Sequence, residues 1–433
     1  MKLRQVLASV LILIPLAVPA QDSGKGLSFD LSYMTRGEVR NGGLVKGEES
    51  ADDFAAFLLG RTRLGLKYEG QGISSRLTAQ HSGTWGSQGG GTLGIYEAWV
   101  QMESDKGFFV RIGRQNLSYD DQRIFGSDDF SMTGMSHDVL KAGFESKGHK
   151  FHVFAAFNQN GENTSGGGTY FSGGYQPYKA MESAWYHYDF KRIPLGASLL
   201  FLNLGMQGGE KGEDNARTWQ QQLAGTYMSF KPKGWSFEGA FYYQMGKSEY
   251  GIPIAAWMAS SKFTANLGTR TVLSGGYDYL SGDEHFATPP EGMIGVIQHD
   301  KIRGFNSIYG SHHKFYGAMD FFYVSTYYRG FTPGLQKLYL GATWTPSEVF
   351  SLDASYHYLA TATKLQNADR PLGHELECSA AYNIRKEAKI SIGGSYMRGT
   401  DTMKVLKRSS DAGQLRWVWI MLSVSPEIFI TRR

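Results

Sequence analysis

The chain has 433 residues, of which 44 are Lys or Arg and 40 are Asp or Glu, so its formal net charge is +4 at pH 7. This near balance indicates no particular charged partner. The single cysteine, Cys378, excludes an intrachain disulfide framework and a cysteine-based zinc site. By length alone, the chain fits either two soluble domains or one large closed barrel.

The amino terminus has the pattern of a secretory signal peptide. A short basic region precedes the apolar residues 6–18, and a cleavage site with small residues ends at Ala20. The apolar run is shorter than the ~20 residues that a membrane-spanning helix needs. We therefore predict that residues 1–20 are a signal peptide and that residues 21–433 form the mature domain.

Apolar and polar residues alternate through most of the mature chain. In residues 235–246, Trp235, Phe237, Phe241 and Tyr243 share one face of an extended strand, and the residues between them are mainly polar. Long strands of this kind that end in aromatic residues are typical of a barrel whose apolar face contacts lipid. We predict an all-β fold, a transmembrane antiparallel up-and-down β-barrel of about 18 strands.

The predicted strands follow one another with connections that alternate in length. The strands lie near residues 27–40, 54–69, 72–84, 92–103, 107–118, 135–146, 149–158, 182–191, 194–205, 217–231, 235–246, 254–267, 270–281, 334–346, 349–362, 373–385, 388–398 and 415–425. The long connections lie near residues 41–53, 119–134, 159–181, 282–333 and 399–414. Outer-membrane barrels have short periplasmic turns and long outer loops, and this order fits that rule. Residues 282–333 are too long for a plain outer loop, so we predict that they cap or enter the pore mouth.

The same alternation predicts which charged side chains face the lumen, because a charge on the lipid face near mid-bilayer costs about 2–4 kcal/mol. The basic residues predicted to line the pore are Arg36, Arg40, Arg61, Arg63, Lys67, Arg76, Arg111, Lys141 and Arg416, and the same alternation points Lys262 and Lys337 inward. Inward acids are predicted at Asp30, Glu38, Glu97, Glu145, Glu238, Asp278, Asp353, Glu375 and Glu377. The arginines concentrate in the first five strands and have few acidic neighbours, which predicts an electropositive wall that attracts anions. The alternative is that Arg–Glu ladders only brace a polar lumen.

Signals for an enzyme or a metal site are weak. The chain lacks G-x-S-x-G and H-E-x-x-H motifs, and residues 89–94 match a dinucleotide motif without the strand–turn–helix that it needs. Asp120, Asp121, Asp128 and Asp129 share one predicted loop and could hold Ca²⁺, but their spacing is not that of an EF-hand and favours a solvated acidic loop. We expect no enzyme activity, no cofactor and no metal.

The fifth and sixth predicted strands carry a recognisable pattern. Residues 112–123, which read IGRQNLSYDDQR, and residues 136–139, which read SHDV, resemble the motif of the alginate export family of outer-membrane barrels. Residues 61–66 and 315–320 resemble two further motifs of this family. The resemblance implies a barrel with an arginine-rich, electropositive constriction that conducts a polyuronate.

By position, the family resemblance places Arg61, Arg63 and Arg111 at inward basic sites. The residues that match the family motif itself are Gly113, Arg114, Gln115, Arg123 and Asp138. If Arg111 points inward, strict alternation sends Arg114 toward lipid, and we expect a β-bulge that turns Arg114 back.

These features together predict a channel in the bacterial outer membrane that passes anionic solutes, either exporting a polysaccharide or admitting small acids. Two alternatives stay open. One is a barrel with an occluded lumen and a structural or adhesive role, and the other is a barrel enzyme with a Ser–His pair facing lipid. The expected partners are an anionic saccharide or small acid, outer-membrane lipid and lipopolysaccharide, and the barrel-assembly machinery, with no nucleic acid.

Overall fold

The protein is a single antiparallel sheet that closes on itself. The computed structural model describes residues 26–41, 54–159, 161–162, 169–171, 173–174, 176–284, 300–319, 332–365, 368–407 and 414–432. The strands are β1 (Gly26–Asn41), β2 (Ala55–Gly70), β3 (Ile73–Thr84), β4 (Thr92–Glu103), β5 (Phe108–Gln115), β6 (His137–Ser146), β7 (His149–Phe157), β8 (Ala180–Asp189), β9 (Leu195–Gly208), β10 (Arg217–Phe230), β11 (Trp235–Lys247), β12 (Pro253–Leu267), β13 (Thr271–Leu280), β14 (Leu335–Ser347), β15 (Phe350–Ala360), β16 (Pro371–Arg385), β17 (Ala388–Gly399), β18 (Leu415–Val424) and β19 (Glu427–Arg432). Consecutive strands from β1 to β18 pair with each other, and β1 also pairs with β18 and β19, which closes the barrel.

The last two strands occupy one position in the barrel wall. β18 pairs with the half of β1 that ends at Asn41, and β19 pairs with the half that begins at Gly26. Pro426 separates the two strands because it has no N–H for the ladder, but its carbonyl accepts a hydrogen bond from Leu31 N at 3.2 Å. The predicted barrel of about 18 strands is therefore confirmed, with its last strand split.

Sequence alternation sets the two faces of the wall. In β2, Leu64 and Leu66 are 44 and 43 % exposed, whereas Arg61 and Arg63 are only 5 and 9 % exposed. Successive side chains of a strand point to opposite faces, so the leucines lie on the outer surface and the arginines lie inside. Large exposed apolar residues also cover the outer face of the other strands, as contact with lipid requires.

The connections between strands fall into two length classes at the two ends of the barrel. At the short-turn end, Gly107 closes the β4–β5 turn with φ +88°, where a Cβ would collide with the carbonyl oxygen of Glu145. At the opposite, long-loop end lie the connections from β5 to β6 and from β13 to β14. By the rule for bacterial barrels, the short turns face the periplasm.

Several predicted features lie at or beyond the edge of the described residues. The predicted signal peptide, residues 1–20, and all of the predicted loop 41–53 except Asn41 fall outside them. In the predicted loop 399–414 there is a short helix, α1 (Asp401–Lys407), which packs against β16 and β17. No helix in the described ranges is both long enough and apolar enough to cross a membrane.

Two long-loop connections fold back into the barrel. We call residues 116–136 the first inward loop and residues 300–319 the second inward loop. The two loops pair with each other, since Gly126 N donates to Tyr309 O at 2.9 Å and Tyr309 N donates to Ile124 O at 3.2 Å. The buried ring of Phe125 packs against Phe154 of β7 and Tyr309 at centroid distances of 5.4 and 6.0 Å.

The inner wall beside the inward loops is apolar. Leu200, Leu202 and Leu204 on the inner face of β9 are all buried, as are Leu223 of β10 and Tyr242 of β11. Apolar residues of the inward loops pack against these wall residues and complete the cluster. The packing removes apolar surface of both the wall and the loops from water. The lumen therefore contains a hydrophobic core that ties the loops to one side of the wall.

Candidate pore constriction

The first inward loop crosses the lumen from one side of the barrel to another. Near its start, the ring of Tyr119 stacks on Phe154 of β7 with centroids 5.7 Å apart. Near its end, the ring of Phe130 lies 6.0 Å from Trp417 of β18. Because β7 and β18 are far apart around the wall, the loop spans the channel and narrows it.

Arginines of β1 and β2 hold the end of the first inward loop. Arg36 Nη1 donates to Phe130 O at 2.9 Å, and Arg61 Nη1 donates to Asp129 O at 3.0 Å. Arg63 Nη1 donates to the carboxylate of Asp129 at 2.8 Å. These side chains lie inside the barrel, but they bind the loop that covers them rather than line an open pore.

The prediction that the arginines have few acidic neighbours is wrong for Arg36 and Arg76. Arg36 Nε lies 2.7 Å from a carboxylate oxygen of Glu38, two residues along the same strand. Arg76 binds Asp30 of β1 at 2.8 Å and lies 3.4 Å from Glu97 of β4. Most of the carboxylate partners lie on other strands or on the first inward loop. They are close to the arginines in space but far from them in sequence, so the sequence alone does not reveal the pairs.

Arg123 ties both inward loops to another part of the wall. Its guanidinium is buried and donates to Asp121 at 2.8 Å, to Asp278 of β13 at 2.7 Å and to the hydroxyl of Tyr316 at 3.2 Å. The guanidinium also lies 4.1 Å from the ring centroid of Phe315. Charge-assisted hydrogen bonds in such a buried setting are strong as a set and costly to break at one partner.

The second inward loop adds further contacts across the lumen. The ring of His313 stacks on Phe130 with centroids 3.5 Å apart, and Met319 N donates to Glu375 of β16 at 3.0 Å. Lys314 Nζ donates to a main-chain carbonyl of the first inward loop at 2.9 Å. Burial lowers the pKa of Lys314 below its usual value. The two loops therefore form one constriction fixed at several points of the wall.

A cavity of about 620 Å³ lies between the inward loops and the short-turn end. Lys262, Lys314 and Lys337 line it, and none of their ammonium groups has a carboxylate oxygen within 4 Å among the described residues. The rings of Phe315 and Tyr339 also face this space. Its acidic lining residues are Asp120, Asp121, Glu238, Asp278, Asp353 and Glu377. The cavity thus presents ammonium groups, carboxylate oxygens and aromatic rings together.

Arg111 and Lys141 form a second group of lumen cations, directly opposite each other across β5 and β6. Arg111 Nε donates to Gln101 at 2.8 Å, and its guanidinium lies 3.9 Å from the ring centroid of Trp99. Lys141 Nζ lies 5.5 Å from the ring centroid of Phe109. Within the described part of the chain, neither cation has a carboxylate oxygen closer than 4 Å.

Arg40 and Lys67 lie toward opposite ends of the inner surface formed by β1 and β2. Arg40 lies 3.6 Å from Glu38, and Lys67 lies 2.6 Å from Glu69. Both cations are therefore paired with a carboxylate on their own strand, and Arg40 shares Glu38 with Arg36.

The prediction that Arg416 lines the pore is wrong. In β18, Trp417 is 3 % exposed and faces the lumen, whereas Val418 is 55 % exposed on the outer face. Arg416 shares the outer face with Val418 because the two are two residues apart in a strand. It lies opposite Asn41, at the long-loop end of β1, where a charge can reach water.

The predicted bulge that turns Arg114 inward is also absent from β5. Its pairing with β6 is continuous, so Arg114 shares the outer face with Ile112, and the buried Gln115 faces inward. The guanidinium of Arg114 donates two hydrogen bonds to the carboxylate of Asp138 of β6, at 2.9 and 2.6 Å. The opposite charges of the two side chains therefore offset each other on the outer surface. A register shift occurs instead in β4, at Tyr96.

The four aspartates of the predicted acidic loop are separated by the fold. Asp120 accepts a hydrogen bond from Ser198 of β9 at 2.6 Å, and Asp121 and Asp129 bind arginines at different places. Burial raises the pKa of Asp120, and the hydrogen bond from Ser198 opposes this. Among the described residues, no three His, Cys, Asp or Glu side chains converge as a metal site would require.

The Ser–His hydrogen bonds at His187 and His357 both lie inside the barrel. Ser198 Oγ is 2.8 Å from His187 Nδ1, but its hydroxyl donates to Asp120. Ser355 Oγ is 2.8 Å from His357 Nε2 in the cavity wall. The barrel-enzyme alternative requires a Ser–His pair that faces lipid, and neither of these two pairs does.

Comparison with known proteins agrees with this architecture. The sequence pattern of the family described as alginate export matches residues 91–371. The chain belongs to the alginate export family. No curated protein sequence matches this family member.

Solved outer-membrane channels share the fold of this family member at low sequence identity. OccAB1 of Acinetobacter baumannii is 12 % identical with a TM-score of 0.61, over 93 % of this chain and 97 % of the other. OpdO of Pseudomonas aeruginosa is 12 % identical with a TM-score of 0.60, over 93 % and 98 %. OccK2 of P. aeruginosa, solved in complex with glucuronate, is 12 % identical with a TM-score of 0.59, over 93 % and 98 %. The family match and this shared fold together make the protein a β-barrel of the bacterial outer membrane.

Proposed function

We propose that this alginate export family barrel is a passive channel that favours carboxylated solutes, with sugar acids as the main class. The observation that carries the proposal is a set of lumen cations without a carboxylate partner among the described residues. They are Arg111, Lys141, Lys262, Lys314 and Lys337. Unpaired charges in a pore with low-dielectric walls raise the local concentration of the opposite ion.

The cavity chemistry narrows the solute class further. Its aromatic rings, Phe315 and Tyr339, offer apolar surface to a sugar ring, and its carboxylates can accept hydrogen bonds from sugar hydroxyls. A solute with one carboxylate and several hydroxyls uses both kinds of group. The glucuronate complex of OccK2, a barrel of the same fold, supports this choice.

We also propose that the protein acts without chemical conversion of its solute. Export as a precursor with a signal peptide at residues 1–20, insertion by the barrel-assembly machinery, and contact with lipopolysaccharide all accord with an outer-membrane barrel. Polymer export and uptake of small sugar acids both fit a narrow, cation-lined lumen. Two inward loops cross the lumen, and a monomeric sugar acid needs less open width than a polymer. We therefore favour uptake of monomeric sugar acids.

The proposal is tested by ion selectivity in planar bilayers. Reversal potentials in a KCl gradient should show preference for chloride, and the preference should weaken at high salt, since the Debye length is about 10 Å at 0.1 M. The double substitution Lys262→Gln with Lys314→Gln should reduce this preference, because both ammonium groups line the cavity. Proteoliposomes should also take up glucuronate faster than galactose.

The matched control is Arg416→Gln, which removes a cation from the outer surface and should leave selectivity unchanged. Cation selectivity of the unmodified protein would contradict the proposal. An absence of conductance in a correctly assembled barrel would instead favour the structural alternative.

A further inference from the structure

Two buried arginines of β2 share a single carboxylate. Among the described residues, the ion-pair partner of both Arg61 and Arg63 is Asp129, at 3.8 and 2.8 Å. Arg61 and Arg63 are 5 and 9 % exposed, so water screens their charges little. A pair of guanidinium groups with one counter-ion is short of one negative charge.

The same two side chains also retain unused hydrogen-bond donors. Arg61 Nε and Arg63 Nη2 are buried and have no acceptor within the described residues. A buried N–H without an acceptor costs about 1–3 kcal/mol, and more when the group is charged. Both arginines bind the end of the first inward loop, at residues 129–131, so each has a donor to spare close to where that loop is attached.

The counter-ion that is present is the most accessible member of the group. The side chain of Asp129 is 59 % exposed, whereas the arginines are held in place by the wall. Arg63 lies 3.6 Å from the ring centroid of Tyr96 and donates to Gln80 at 2.7 Å. The guanidinium groups are therefore preorganised, and the carboxylate of the loop is the part that can leave.

We propose that Arg61 and Arg63 form a carboxylate-binding subsite that Asp129 occupies in this structure as an internal substitute for the solute. A carboxylated solute competes with the Asp129 carboxylate for the two guanidinium groups and weakens the attachment of the end of the first inward loop to β2. The solute thereby loosens the constriction that it passes. This inference rests on the proposed function for the class of solute, but it concerns a different set of residues from the cavity lysines.

The test uses full-length protein with a reporter on the loop. Ser131→Cys carries an environment-sensitive fluorophore, in a Cys378→Ala background because Cys378 is exposed. Titration with sodium glucuronate at constant ionic strength should give a saturable signal, and galactose should give none. Asp129→Asn should bind glucuronate about tenfold more tightly, the gain expected if Asp129 holds the arginines about nine-tenths of the time.

Two variants control for charge and for the site. Glu69→Gln removes a carboxylate at the short-turn end of β2, outside the cavity, and should leave the affinity unchanged. Arg63→Gln removes the proposed anchor and should abolish the saturable signal. Heat-modifiable mobility in gels checks that each barrel is assembled.

The outcomes separate this inference from the proposed function. Equal glucuronate affinity in the unmodified protein and Asp129→Asn, or a saturable loop signal that persists in Arg63→Gln, would overturn the internal-substitute proposal even if glucuronate permeates. If Asp129→Asn does not assemble, a galactose response equal to the glucuronate response in the otherwise unmodified reporter protein overturns it. Loss of chloride preference alone would contradict the proposed function but not the exchange at Arg61 and Arg63.

Discussion

Replacing Arg123 by Met should loosen the constriction while leaving the barrel assembled. Arg123 is the contact that joins both inward loops to β13, through Asp278 and Tyr316. Removing one partner of a buried ion pair costs about 3–5 kcal/mol, because the other charge stays buried without compensation. Here Asp278 would be that charge, and it is almost completely buried.

The cost falls on the docked state of the loops, since the strands pair without Arg123. Every 1.4 kcal/mol is a tenfold change in an equilibrium, so the ratio of undocked to docked loops should rise by roughly 100- to 4,000-fold. Single-channel recordings should show higher mean conductance and more frequent transitions. Adding Asp278→Asn should recover part of the loss, because the two substitutions remove the same interaction.

The matched control is Arg76→Met, which breaks the Arg76–Asp30 pair on the wall without touching an inward loop. This pair is partly exposed, so its loss should cost less than about 1 kcal/mol and leave the conductance unchanged. Conductance of Arg123→Met equal to that of the unmodified protein, with correct assembly, would refute the reasoning that Arg123 holds the constriction.

Three further predictions concern the wall. Leu64→Arg should impair assembly by about 2–4 kcal/mol because Leu64 faces lipid, whereas Arg63→Ala should assemble normally, and equal folding yields in bilayers would contradict the assigned faces. Gly113→Ala should lower the unfolding temperature, because φ is +119° and a Cβ would meet the carbonyl oxygen of Ala98, while Gly94→Ala, which meets open space, should not. Asp138→Asn should destabilise the barrel in lipid more than Asp353→Asn, measured by urea unfolding, because it replaces a carboxylate that accepts two charge-assisted hydrogen bonds from Arg114 on the outer face.

The sequence by itself determined the register of the wall. A shift of one residue in β2 would move Leu64 and Leu66 into the lumen and Arg61 and Arg63 into lipid, so period-two alternation admits a single register. The strand count and the alternation of turn lengths follow from the same pattern. Arg416 was assigned to the wrong face, although the same alternation puts it outside. It lies two residues from Val418, an apolar residue of the outer face, and therefore shares that face.

The contents of the lumen were decided only by the tertiary structure. Asp129 reaches Arg63 across 66 positions of sequence, and Arg123 reaches Asp278 across 155. Alternation says which face a strand residue occupies, but a loop has no periodicity from which its destination could be read. Whether a wall of arginines faces open water or a folded loop depends on those distant contacts, and so does the charge that a passing solute meets.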